Sequence, residues 1–200
     1  MINYAILFIA LIIGMLPNRW ILGRFIDRYD LYFVRCDEVG AEDMIANITK
    51  PPFFTMVLLD IFKGAGVVFL AQAIDGWTAL PWAALLFVVV AHNFNFIAGL
   101  KNGTGVMMLL GGMLFLYPAI IALYVIFYLL LGVIIKDEDF KAVFATLSVP
   151  FGAIFIFNAV HTYVFGLIFV VMMIAYKAMY IKAMGIRSFN KEYKKTNPFY

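Results

Sequence analysis

The sequence predicts an all-α integral membrane protein, a compact bundle of about seven transmembrane or half-spanning helices forming one membrane domain over residues 1–200. Three observations carry this expectation. Of the 200 residues, 65% are hydrophobic, 18% aromatic and only 14% charged. With a mean hydropathy of +0.96, that is more apolar surface than a soluble domain of this length can bury. The apolar residues come in long uninterrupted runs, and the lysines and arginines gather between the runs instead of within them.

In chain order the runs cover 2–17, 53–74, 79–98, 106–135, 142–158 and 160–183. The first starts directly after Met1, with no basic stretch before it and no small-residue cleavage site after it, and reads as a retained span. A bilayer core takes roughly 20 helical residues, so 106–135 is too long for one crossing. Tyr117-Pro118 is where it should break, because proline removes a backbone donor and clashes with the preceding turn. The piece 106–116 is then short enough to be a half-helix shielded by protein, and Gly111 and Gly112 within it permit close helix contact. A further break is expected near 146–150.

Charge sets the orientation. With seven crossings, 14 of the 15 basic residues fall on one side: five in 18–52, one in 99–105, two in 136–141 and six towards the C-terminus. The remaining one, Lys63, lies within a span. The bias places that side in the cytoplasm, with the N-terminus outside and a short basic tail, about 184–200, inside. The tail lies beside a membrane, so attraction to anionic lipid explains its charge more simply than nucleic-acid binding does.

Few polar residues are placed to do chemistry. "LDIFKGAG" sets Asp60 and Lys63 three apart on one helix face, a polar pair that either offsets its own desolvation or offers Lys63 to an anion. His92 in "AHNFNF" is a candidate proton carrier or donor to phosphate. Ser148, at the expected break, is a third catalytic candidate. "LKNGTGVMM" reads as a phosphate-holding loop: Gly103 and Gly105 let backbone N–H groups approach an anion, Lys101 adds charge, and Thr104 stands between the glycines. His161 reads as a cap or interface residue. Cys36 has Asp37 and Glu38 beside it, which oppose thiolate formation, and reads as inert. The sequence contains no metal-ligand cluster, no C-x-x-C and no nucleotide fingerprint, so no metal and no cofactor is expected.

Taken together, "GMLPNRWILGRF", "VGAED", "LDIFKGAG", "AHNFNFIAGLKNGTGV" and "TLSVP" resemble in order and spacing the bacterial membrane acyl-phosphate:glycerol-3-phosphate acyltransferases of the PlsY type, over nearly the whole chain. The resemblance implies a seven-helix fold with its active site at the cytoplasmic face of the bacterial inner membrane, and acyl-phosphate, glycerol-3-phosphate and membrane lipid as partners. Pro17, Gly40, Ala41, Asp60, Lys63, Gly64, His92, Lys101, Gly103, Gly105 and Val106 keep the family pattern. Other positions depart from it. Thr104 stands where the pattern has a glycine-loop lysine, and Ala46 where it has an arginine. Arg35, Cys36, Asp37 and Glu38 replace G-S-G-N, and Glu42 and Asp43 replace T-N. Thr146 and Ser148 partly keep the serine-rich motif. With Tyr176 as anchor, Ala178, Met179 and Ile181 replace the histidine, arginine and asparagine of H-R-x-N.

Substitution of cations by neutral groups, with carboxylates added, argues for a member that has lost the reaction and serves as a membrane subunit or scaffold in a larger complex. The alternative is an active acyltransferase of glycerolipid synthesis. A small transporter with Asp60 and Lys63 on its path is a further alternative, for which the sequence supplies no internal repeat.

Overall fold

The computed structural model describes residues 2–18, 51–76, 79–95, 104–155 and 161–183. They form eight helices: α1 (Ile2–Met15), α2 (Pro51–Asp75), α3 (Ala79–Asn93), α4 (Val106–Leu116), α5 (Ala119–Leu131), α6 (Glu138–Ala145), α7 (Ser148–Phe155) and α8 (His161–Ala183). No strand occurs among the described residues.

Side-chain contacts fix the direction of each helix. The end of α1 meets the end of α3, where Gly14 lies against Ala91, and α2 runs beside α4 in the same sense, with Phe69 on Phe115. At the opposite face, Trp82 near the start of α3 stacks on Tyr163 near the start of α8, 5.2 Å between ring centroids, and packs on Tyr117 at the end of α4. Aromatic rings of this amphipathic kind suit a membrane–water boundary. Ile120 and Leu123 of α5 face Gly152 of α7, while Tyr128 reaches Glu138 at the start of α6. The chain therefore reverses after Leu116, and α6 and α7 together make one crossing. Seven crossings result, with Met15–Asn18, His92–Asn95, Thr104–Gly105, Glu138 and Lys177 towards one face of the bundle.

Local chemistry explains the interruptions. Tyr117 leaves helical geometry at φ −148° and ψ 87°, and Pro118 opens α5, as the sequence predicts. Pro150 has no N–H to give the Thr146 carbonyl, which accepts from Val149 at 3.0 Å instead. The Thr146 and Ser148 hydroxyls donate to the carbonyls of Val143 and Ala145, at 2.5 and 2.6 Å. These bonds satisfy backbone groups that lipid could not.

One boundary differs from the apolar runs for a clear local reason. The sixth crossing begins at Glu138, not 142, because the Asp137 carboxylate accepts from the Phe140 N–H at 3.2 Å and caps a polar first turn that hydropathy overlooks. Lys141 then pairs with Glu138 at 2.6 Å and lies over the Tyr128 ring, clamping the ends of α5 and α6 together.

Among the described residues, Phe54–Asp75 is the helix long and apolar enough to cross a membrane alone, at 22 residues and a mean hydropathy of 1.9. It is held by close backbone contact with α4 at two glycines. A Cβ on Gly64 would strike the Met108 carbonyl of α4, and one on Gly111 the Ile61 carbonyl of α2. Gly66, two residues on, faces open space. Gly64→Ala should therefore cost about 1–3 kcal/mol of stability through overpacking against backbone, whereas Gly66→Ala should change it by less than about 0.5 kcal/mol. Denaturant-induced unfolding of the two variants in detergent micelles makes the comparison.

Candidate functional site

Where α1 ends, its backbone and side chains turn towards the interior of the site. Asn18 donates its amide to Asp60 Oδ1 at 2.6 Å, the Lys63 ammonium donates to the Leu16 carbonyl at 2.5 Å, and the Asn95 amide donates to the Met15 carbonyl at 2.7 Å. Carbonyls at a helix C-terminus lack intrahelical donors and carry partial negative charge, so they attract these groups. The spacing of Asp60 and Lys63 places both on the face of α2 that meets α1. Each charge is anchored by the first helix, Asp60 through Asn18 and Lys63 through the Leu16 carbonyl, and the two act on each other through space.

His92 lies in the last turn of α3, with its side chain only 6% exposed, and its Nδ1 is 4.0 Å from Asp60 Oδ1, whose side chain is 18% exposed. At that distance the carboxylate and the ring stand within ion-pair range of each other. The charges of Asp60, Lys63 and Lys177 all act on His92. Asn93, next in the chain, is fully enclosed. Its carbonyl accepts from the Lys177 ammonium of α8 at 3.0 Å, and its side chain backs onto Gly105.

Gly105 opens α4 with φ 79° and ψ 7°, in the left-handed region. A side chain there would be strained by the backbone angle and would press on Val89 at 3.3 Å and Asn93 at 3.4 Å. This glycine therefore lets the loop before α4 lie directly on the end of α3. Thr104 stands beside it, half-buried. At that point the first N–H groups of α4 have no intrahelical acceptor, a local electrostatic preference for an anion.

Of the residues that the sequence singles out, the structure thus brings together Asp60, Lys63, His92, Thr104 and Gly105. Lys101, Gly103, Arg35, Cys36, Asp37, Glu38, Glu42, Asp43 and Ala46 lie outside the described residues. The Ser148 hydroxyl donates to the Ala145 carbonyl and serves the helix break. Ala178 is buried, while Tyr176 and Met179 face outward at 65% and 62% exposure.

Lys177 is the residue that sequence reasoning misses. The charge count groups it with the C-terminal basic residues, yet it is 6% exposed inside α8. Its position one residue after Tyr176, within an apolar run, was the available signal. The arrangement as a whole provides two ammonium groups, a carboxylate–histidine pair and a glycine-started helix. Such a set can bind an anion and move a proton.

Fold and site together define a seven-crossing helical membrane protein with a cluster of polar and charged side chains at one face. The chain belongs to the glycerol-3-phosphate acyltransferase family, whose model matches residues 4–184. Glycerol-3-phosphate acyltransferase 2 of Moorella thermoacetica is 28% identical over 151 residues, covering 74% of this chain and 76% of that protein. The glycerol-3-phosphate acyltransferase of Prochlorococcus marinus strain MIT 9312 is 25% identical over 177 residues, 88% of this chain and 89% of its own. In fold, the chain is similar to the crystal structure of PlsY (YgiH), an integral membrane glycerol 3-phosphate acyltransferase, in its glycerol 3-phosphate form. The TM-score is 0.73 at 17% identity, with 98% of this chain and 94% of that chain covered.

The Asp60 carboxylate is the acceptor for a part-buried amide and the counter-charge to His92 and Lys63. Asp60→Ala should cost about 1–3 kcal/mol by orphaning the Asn18 amide. Asp60→Asn, which keeps an acceptor oxygen, should cost clearly less. Thermal unfolding of both variants in the same detergent decides it.

Proposed function

We propose that this protein is an active membrane acyltransferase that moves an acyl group from an acyl-phosphate to the hydroxyl of glycerol-3-phosphate or a closely related phosphate-bearing acceptor. The acceptor oxygen attacks the acyl carbon and the ester C–O bond forms. The bond from that carbon to the phosphate oxygen breaks, and inorganic phosphate leaves with the electron pair. An acyl-phosphate is already activated, so the protein's tasks are to hold two anionic substrates together and to receive the hydroxyl proton. Lys63, Lys101, Gly103, Thr104 and Gly105 are assigned to phosphate, and His92, oriented by Asp60, to the proton.

The observation that carries this reading is the placement of Lys63, His92 with Asp60, and the Gly105 turn at one face of the bundle in a chain of this family. The relatives it matches are named as acyltransferases, which favours the active enzyme over loss of the reaction. The loss reading, with the chain serving as a scaffold subunit, keeps one observation in its favour: Thr104 and Ala46 are neutral where the family pattern has cations. The excess of basic residues on the side of this face supports a cytoplasmic face and C-terminus.

Purified protein supplied with acyl-phosphate and glycerol-3-phosphate should form lysophosphatidate, and Lys63→Ala should lower kcat/KM by about 10²- to 10³-fold. Absence of product from folded wild-type protein, with product appearing in the Thr104→Lys variant, would instead establish the scaffold reading. A reporter fused after Tyr200 should be active only in its cytoplasmic form.

A further inference from the structure

We infer that Lys177 is a phosphate-binding residue of this site and supplies the positive charge that Thr104 does not. This rests on the acyltransferase reading, since it concerns the phosphate of the same acceptor or donor.

Placement is the first argument. Lys177 comes from α8, 84 residues after Asn93 in sequence, and its ammonium reaches the Asn93 carbonyl at 3.0 Å. Gly105 lies against the side chain of the same asparagine, at 3.4 and 3.6 Å from its amide atoms for a Cβ placed there. Asn93 therefore separates the Lys177 ammonium from the glycine turn by a single residue, and Thr104 is next to that turn. A lysine on α8 and a lysine in the loop would approach a phosphate at the start of α4 from two sides of one residue.

Charge balance is the second. Among the described residues, the charges acting on His92 are one carboxylate, Asp60, and two ammonium groups, Lys63 and Lys177. A phosphate bound among these groups would meet both ammonium charges. A backbone carbonyl at the end of α3 could be satisfied by a neutral amide, so the hydrogen bond to Asn93 does not by itself call for an ammonium there. A phosphate oxygen does, because a compact ammonium binds phosphate as a point charge.

The third is where the charge sits. Thr104 carries none, and α8 places a buried cation on the Asn93 carbonyl, one residue away from the glycine turn that Thr104 precedes. A cation on α8 grips the anion from a different direction than a loop cation would. That change would alter which acceptor fits, and so concerns specificity as well as affinity.

The test uses the full-length protein in lipid nanodiscs. Lys177→Gln keeps a donor for the Asn93 carbonyl and removes only the charge. Its KM for glycerol-3-phosphate should rise about 10- to 100-fold, the worth of one charge-assisted contact, with kcat within about threefold. Adding Thr104→Lys to Lys177→Gln should return KM to within about threefold of wild type, because the loop lysine restores the charge to the same phosphate. A purely structural Lys177 would lower the melting temperature and leave KM unchanged, and the loop lysine would rescue nothing; either result overturns the inference.

A second readout separates this inference from the proposed activity. If wild type makes no lysophosphatidate, the acyltransferase reading falls. Thermal stabilisation of wild type by glycerol-3-phosphate and by inorganic phosphate, lost in Lys177→Gln and regained in the double variant, would still uphold the role of Lys177. Turnover by wild type with an unaltered KM in Lys177→Gln would sink Lys177 and leave the activity standing. No turnover and no stabilisation by either phosphate would overturn both.

Discussion

The contact on which the site depends lies just below it: the backbone of α2 touches the backbone of α4, where Gly64 meets the Met108 carbonyl and Gly111 the Ile61 carbonyl. In lipid, helices gain little from hydrophobic exclusion, and close packing through small residues takes its place. The consequence is positional. Asp60 and Lys63 lie within one turn before Gly64, and Gly105 lies one turn before Met108, so fixing the two glycine contacts also fixes how far the charged face of α2 stands from the loop that opens α4. A wider spacing between these helices would leave the same residues present and too far apart to act on one ligand.

α3 adds a third wall to that pairing. Its last turn carries His92 beside Asp60 and Asn93 beneath Gly105, while Gly14 brings the end of α1 close enough for its carbonyls to hold Lys63 and Asn95. α5, α6 and α7 contribute differently. Their polar groups, Tyr128 with Glu138 and Lys141, Thr146 with Val143, and Ser148 with Ala145, are spent on one another and on the helix break. One half of the bundle is thus chemically open and the other self-satisfied.

Much of this was legible in the sequence, for reasons that are local. Apolar run length reports bilayer thickness, so the crossings could be placed. Proline acts on its own four-residue neighbourhood, so the break at Tyr117-Pro118 could be placed too. Asp60, Lys63, His92 and Gly105 stood out because polar or glycine residues at the ends of apolar runs are few. The start of α6 was missed because an Asp137 cap, not hydropathy, creates it. Lys177 was missed because its meaning depends on Asn93, far away in the chain, and nothing in a linear charge count separates a buried lysine from a basic tail.

The dependence of α2 on α1 bears on the order in which the chain enters the membrane. Residues 2–15 are synthesised before Asp60 and Lys63 exist, and the carbonyls of Met15 and Leu16 that end α1 are in place when the charged span arrives. Both of these charges are thus held by groups that precede them in synthesis, Lys63 by the Leu16 carbonyl and Asp60 by Asn18.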